Sequence, residues 1–245
     1  MLMNSRVDVN GSGTQDLRPY FPFVSRENNT DLMKPKPQTK AFLIANELSL
    51  VFPSGQQMFS MFSDTATFAE ELRAQLLKRS NKLYEDSTWS LEHLYPLIHK
   101  LYSYRGSLDT DDVESVLKEC CRLALCIFLT HIRAKFGFSA EVLEIYVEQL
   151  LPLVRNVKFK TEYGKEHSSF RMWVLVMGAM EGRGETRAAF VDILKSELRE
   201  LGVLTHVDLE EALMDIIWVG EIDGERFWKL YGALWITEGS APRPV

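Results

Sequence analysis

The acidic stretch "DTDDVES" at 109–115 is the part of this sequence whose spacing could support chemistry. Asp111, Asp112 and Glu114 could hold magnesium against a diphosphate if they projected from one helix into a cavity. At the first turn of a helix, the same carboxylates instead cap free amides and complement the positive end of the helix dipole. No second acidic metal motif follows downstream, so we favour the capping interpretation.

The remaining reactive side chains lack the spacing of known sites. His93 and His99 are six residues apart and therefore cannot form the zinc pair that histidines four apart make on a helix. His131 lies towards the end of its predicted helix, where a cation is favoured. The sequence has no Gly-x-Ser-x-Gly turn and no phosphate-binding loop. The three cysteines fit no metal spacing and are interpreted as buried thiols: Cys120, Cys121 and Cys126. We therefore predict no catalytic, cofactor-binding or metal site, and no enzyme.

Composition predicts a globular protein in aqueous surroundings. Of the 245 residues, 46% are hydrophobic and 25% are charged, which suffices for a sizeable core. The net charge of −6 argues against direct DNA binding, which needs a basic surface. The longest apolar run, Met172–Met180, is far shorter than the ~20 residues that cross a bilayer. The first residues lack the pattern of a secretory signal, so we predict a protein that is not secreted.

Hydrophobic periodicity predicts an all-α fold with one multi-helix domain over 40–236. Residues 1–39 are rich in Asn, Ser, Gly and Pro and are predicted to be a flexible arm, and 237–245 a disordered tail. The segment 40–52 is compatible with a helix or a strand. Capping boxes are predicted at Thr67 and at Thr205. The predicted helices are 65–79, 88–104, 110–135, 140–155, 167–181, 185–201, 206–218 and 223–235.

Four residues stand out as structural or interaction candidates: Arg122, Trp173, Trp218 and Trp228. The helix at 167–181 is apolar on all faces, which predicts a central position surrounded by other helices. The tryptophans recur at helical spacing with Ile and Leu, which favours the core over the wall of a ligand pocket. Arg122 interrupts an apolar helix, so we expect it either to pair with a carboxylate, if buried, or to face solvent. Loss of a buried partner would be strongly destabilising.

Three stretches resemble the C-terminal regulatory region of fungal-specific transcription factors, the helical domain that accompanies binuclear zinc clusters. They are "CCRLALCIFLTHIRAKFGFS" (120–139), "FRMWVLVMGAMEGRGETRAAFVDIL" (170–194) and "LEEALMDIIWVGEIDGERFWKLYGAL" (209–234). The resemblance implies an all-α domain that governs activation, effector response or dimer contacts in a nuclear regulator. The cysteine-rich zinc cluster of that family is missing, so DNA recognition transfers to no residue of this chain.

The sequence therefore favours a non-enzymatic regulatory domain that acts on transcription through contacts with proteins, with itself or with a small-molecule effector. The resemblance implies a nuclear location; without it, the cytoplasm is expected. Two alternatives stay open. One is a terpene-synthase-like helical enzyme using the acidic cluster at 109–114, and the other is a generic helical scaffold.

Overall fold

The computed structural model describes residues 40–104, 108–138, 143–156, 159 and 168–235. Helices account for the regular structure of these residues, and no strand occurs among them, which confirms the predicted all-α fold. The predicted arm (1–39) and tail (237–245) lie outside the described residues. The helices of nine or more residues are α1 (Lys40–Val51), α2 (Gln56–Arg79), α3 (Tyr95–Ser103), α4 (Val113–Lys135), α5 (Leu143–Val154), α6 (Ser168–Glu181), α7 (Gly184–Leu201), α8 (His206–Met214) and α9 (Gly220–Trp235).

Local capping fixes the start of several helices where the sequence predicts it. The Asp112 carboxylate accepts the Ser115 amide at 2.9 Å and opens α4. Thr205 and Asp208 form the predicted capping box of α8, with each side chain accepting the other residue's amide. Asp86 caps a continuous helical stretch from Ser87 to Ser103, with its carboxylate accepting the Trp89 amide at 2.9 Å, and a π-helical turn at Ser90–Leu94 accommodates the missing amide hydrogen of Pro96 within that stretch. These helix starts are therefore local properties of the sequence.

The predicted start of α2 is wrong by nine residues. The helix begins at Gln56, and Thr67 lies inside it, where its hydroxyl donates to the Ser63 carbonyl instead of capping. Polar residues in the upstream turns mask an apolar stripe that includes Met58 and Phe62, both buried. Because tertiary contacts bury that stripe, the helix extends through the polar positions.

Helix α6 occupies the centre of the fold. Every residue from Phe170 to Met180 is buried, and α6 packs against α4, α5, α7, α8 and α9. Gly178 allows α7 to approach, because a Cβ atom there would overlap the ring of Phe190. The predicted central position of the apolar helix is what the structure shows. One continuous hydrophobic core runs from Ala41 to Leu234.

Within the described ranges, no helix is both long enough and apolar enough to cross a membrane.

Candidate functional site

The acidic stretch at 109–115 serves the start of α4. Asp112 is the N-cap, and the carboxylate of Asp109 accepts the Asp111 amide at 2.9 Å. Glu114 accepts a hydrogen bond from the Ser54 hydroxyl and lies 3.7 Å from the Lys118 ammonium. These carboxylates thus interact with backbone amides and with side chains that lie next to them on the protein surface.

A cleft of about 470 Å³ lies beside α4 and α5, with Thr110, Glu119 and Gln149 in its wall. The carboxylates of Asp111 and Asp112 are absent from that wall and belong to exposed residues. Among the residues that the structure describes, no three His, Cys, Asp or Glu side chains converge as metal ligands. The geometry places the acidic cluster at a helix cap and not in a cavity.

Arg122 is buried and paired. Its Nε and Nη2 atoms donate to the two carboxylate oxygens of Glu119 at 2.8 and 2.7 Å. The side chain of Arg122 is 4% exposed, so this bidentate pair is largely shielded from water. Of the two alternatives for Arg122, the structure shows the paired one. The pair holds the Glu119 carboxylate at the edge of the cleft.

Trp173 and Trp218 lie in the core. The Trp173 indole Nε1 donates to the Ile217 carbonyl at 2.9 Å, which ties α6 to the connection between α8 and α9. The Trp218 ring packs edge-on against Phe227, with ring centroids 5.2 Å apart. Both tryptophans are fully buried, so they organise the packing of this connection.

Trp228 is not a core residue, contrary to the sequence-based expectation. Its side chain is 54% exposed. Helix α9 buries one stripe that includes Phe227 and Leu230, and Trp228 lies about 100° further round the helix. Helical spacing alone could not tell the buried stripe from the face beside it.

Trp228 belongs to a group of rings that we call the aromatic surface: His206, Trp228, Tyr231 and Trp235. The His206 ring lies 5.1 Å from that of Trp228 and 5.0 Å from that of Tyr231. Trp228 and Tyr231 meet at right angles with centroids 5.6 Å apart, and Trp235 follows 5.2 Å from Tyr231. These are favourable aromatic geometries, so the rings hold one another in place.

Further apolar side chains are exposed on the adjacent helix. Val207 and Met214, seven residues apart on one face of α8, are 47% and 44% exposed, and Leu204 just before the helix is 69% exposed. Ten large apolar side chains are exposed in the described part of the chain, and four of them lie between 204 and 228. These four side chains lie on or next to α8 and α9, and large contiguous patches of exposed apolar side chains are typical of interaction sites.

The same region is strongly acidic. Between 204 and 235 the sequence has seven Asp or Glu residues and two basic residues, Arg226 and Lys229, a balance of −5 against −6 for the whole chain. Six of the carboxylates are exposed or half-buried, namely Asp208, Glu210, Glu211, Asp215, Glu221 and Glu225, whereas Asp223 is fully buried. An aromatic and apolar surface with acidic surroundings suits a partner that carries apolar or aromatic groups together with positive charge.

A buried charge cluster links α4, α6 and α9 beneath this region. His131 Nε2 lies 2.9 Å from a Glu181 oxygen, and His131 Nδ1 lies 3.7 Å from a fully buried Asp223 oxygen. Arg226 donates to the same Glu181 oxygen at 2.8 Å. The sequence does not reveal this cluster, because no local spacing connects residues that only helix packing brings together.

The two carboxyl groups of the cluster have opposite pKa shifts. Complete burial raises the pKa of Asp223 to about 6, although His131, the Val219 amide and Arg226 act against that shift. Burial also works to raise the pKa of Glu181, but hydrogen bonding and charge from His131 and Arg226 prevail and lower it. The raised pKa of Tyr84 follows mainly from burial, with added repulsion from Glu221 and Asp223. Glu181 is therefore ionised at a lower pH than Asp223.

The fold and this surface together define an all-α domain with an exposed, acidic aromatic face. Comparisons of the chain with protein-family models, curated proteins and solved structures found no match.

Proposed function

We propose that this chain is a non-enzymatic helical regulatory domain that acts through protein–protein contacts made by the aromatic surface. The proposal rests on one observation: the Trp228 ring is exposed and is held in place by contacts with neighbouring aromatic rings. Tryptophan and tyrosine are the residues most often found at the energetic centre of protein interfaces. Neighbouring rings already hold Trp228, so binding costs little side-chain entropy.

The transcriptional setting of this proposal rests on the three stretches that resemble fungal-specific transcription factors. The first stretch corresponds to α4 and the turn after it, the second to α6 and α7, and the third to α8 and α9. These helices pack on one another around α6, and the third stretch contains Trp228. In this proposal the domain acts in the nucleus, and the partner is a protein of the transcription apparatus or a second regulator.

A tethering experiment tests the proposal. The full chain is fused to a heterologous DNA-binding module, and expression of a reporter gene is measured with wild-type, Trp228→Ser and Leu77→Ser fusions. Loss of an interface tryptophan costs about 2 kcal/mol or more, which is roughly thirtyfold in affinity. We therefore expect Trp228→Ser to abolish most of the change in reporter expression.

Leu77→Ser is the matched control, because Leu77 is an apolar residue of α2 that is 80% exposed. It should leave reporter expression at the wild-type level. A fusion that neither raises nor lowers reporter expression would contradict the transcriptional role. Equal effects of the two variants would contradict the role of the aromatic surface.

A further inference from the structure

Lys40, the first residue that the structure describes, lies beside a carboxylate at the end of α8. Lys40, the first residue of α1, places its ammonium 3.8 Å from the carboxylate of Asp215, at the C-terminal end of α8. His206, the first residue of the same helix, is in contact with Trp228. The 39 residues that precede Lys40 therefore join the domain at one end of α8, and the aromatic surface lies at the other end.

The distances allow these preceding residues to reach the aromatic surface. Helix α8 has nine residues and is about 14 Å long. The six peptide units from Lys34 to Lys40 span up to about 20 Å when extended. Residues before Lys34 can thus contact Trp228 without any movement of the helices.

The chemistry of the preceding residues complements that surface. The segment "KPKPQTK" at 34–40 carries three lysines and no carboxylate, whereas α8 exposes Asp208, Glu211 and Asp215. Further upstream, "RPYFPFVSR" at 18–26 combines three aromatic residues, two prolines and two arginines. Aromatic faces bind proline-rich segments, and arginine stacks favourably on tryptophan and tyrosine rings.

We propose that the segment before Lys40 binds the α8–α9 face of its own chain, with Pro19–Phe23 on the aromatic surface and Lys34 and Lys36 along α8. The inference rests on the proposed function in taking the aromatic surface to be a protein-binding surface. It adds that the arm competes with the external partner for this surface. A tether keeps the arm at a millimolar effective concentration, so a contact with a Kd of about 1 mM is already half occupied.

A spin label in the arm tests the contact directly in the full chain. Ser25→Cys supplies the attachment site, and the native thiols are protected, because Cys120, Cys121 and Cys126 are buried. Burial also raises the pKa of Cys120 and Cys121, which suppresses the reactive thiolate. With half or more of the arm bound, we expect the NMR signal of the Trp228 indole to lose at least about half of its intensity.

The control carries the same label together with Tyr20→Ser, Phe21→Ser and Phe23→Ser, three changes confined to the segment before Lys40. It should restore the Trp228 signal. An unattenuated signal in the labelled parent chain would overturn the proposal. Attenuation that appears only when spin-labelled chains are mixed with isotope-labelled chains would also overturn it, because a second copy would then be the occupant.

Failure of this inference is distinguishable from failure of the proposed function. The spin label reports contact between arm and surface whether or not the reporter gene responds. If both hold, the triple arm variant should raise the reporter response of the tethered chain, because the surface is then free for its partner. A lower response would contradict competition between arm and partner.

Discussion

At the scale of the residue, Asp223 is the group with the most unusual environment. It is fully buried, with His131, Glu181 and Arg226 around it and the Val219 amide as a hydrogen-bond donor at 3.3 Å. A carboxyl group whose pKa is higher in the folded than in the unfolded chain binds protons more tightly when folded. Its contribution to stability is therefore present at low pH and is lost as the pH rises.

The first prediction at this scale concerns Asp223→Asn. The pKa of Asp223 rises from 3.8 to about 6 on folding. The free energy of unfolding of the wild type should therefore fall by about 2 kcal/mol relative to that of the variant between about pH 4.5 and pH 7. Asparagine keeps an oxygen for the Val219 amide. Urea unfolding of both proteins across this range measures the difference.

Asp192→Asn, which removes an exposed carboxylate from α7, is the control for loss of a charge. If the stability difference between wild type and Asp223→Asn stays constant with pH, Asp223 does not titrate in this way. The lowered pKa of Glu181 acts in the opposite direction and at lower pH, since its stabilisation is lost only as the pH falls below its ordinary range.

At the scale of the element, the contact between α6 and α7 depends on one missing side chain. Gly178 is the α6 residue against which the Phe190 ring packs. Both residues are buried, so the ring is enclosed within the core. The two helices meet this closely because glycine has no Cβ atom.

We predict that Gly178→Ala destabilises the protein by about 1–2 kcal/mol, because overpacking outweighs the better helix propensity of alanine. Gly224→Ala in α9 is the matched control, since a Cβ atom at that position would have no other atom within 4 Å. That substitution should stabilise by up to about 1 kcal/mol. Chemical denaturation of the two variants measures the change in the free energy of unfolding for each. If Gly178→Ala were more stable than the wild type, α7 would have to shift freely to make room for the added methyl group.

At the scale of the whole molecule, burial is distributed unevenly between the centre and the face that we propose for binding. Helix α6 is buried along its length, whereas α8 buries only Leu209 and Leu213. Short helices with few buried side chains open locally, at less than the free energy of global unfolding. Helix α8, which contributes to the proposed interface, is thus held less firmly than α6.

Hydrogen exchange measures this difference. We predict that amides of α6, such as those of Val174 and Met177, exchange only through global unfolding, and that amides of α8 exchange faster by at least about tenfold. Mass spectrometry of peptic fragments resolves the two helices. Equal protection of α6 and α8 would contradict this gradient.

The local part of the fold follows from the sequence. The caps at Asp112 and Thr205 and the central apolar helix can be predicted from short stretches, because each depends on residues within a few positions. The predicted start of α2 is wrong, since the burial of that partly polar helix depends on what packs against it. Periodicity therefore predicts that a helix exists better than where it begins.

The candidate site shows the same division. The sequence alone shows the all-α class, the excess of acidic residues over 204–235 and the helical spacing of the aromatic residues in α9. The packing of neighbouring helices decides which tryptophans are buried. It covers Trp173 and Trp218, but on α9 it covers the side of Phe227 and leaves the adjacent side, with Trp228, exposed. Likewise His131, Glu181 and Asp223 meet only because α4, α6 and α9 pack together, and such contacts leave no trace in local spacing.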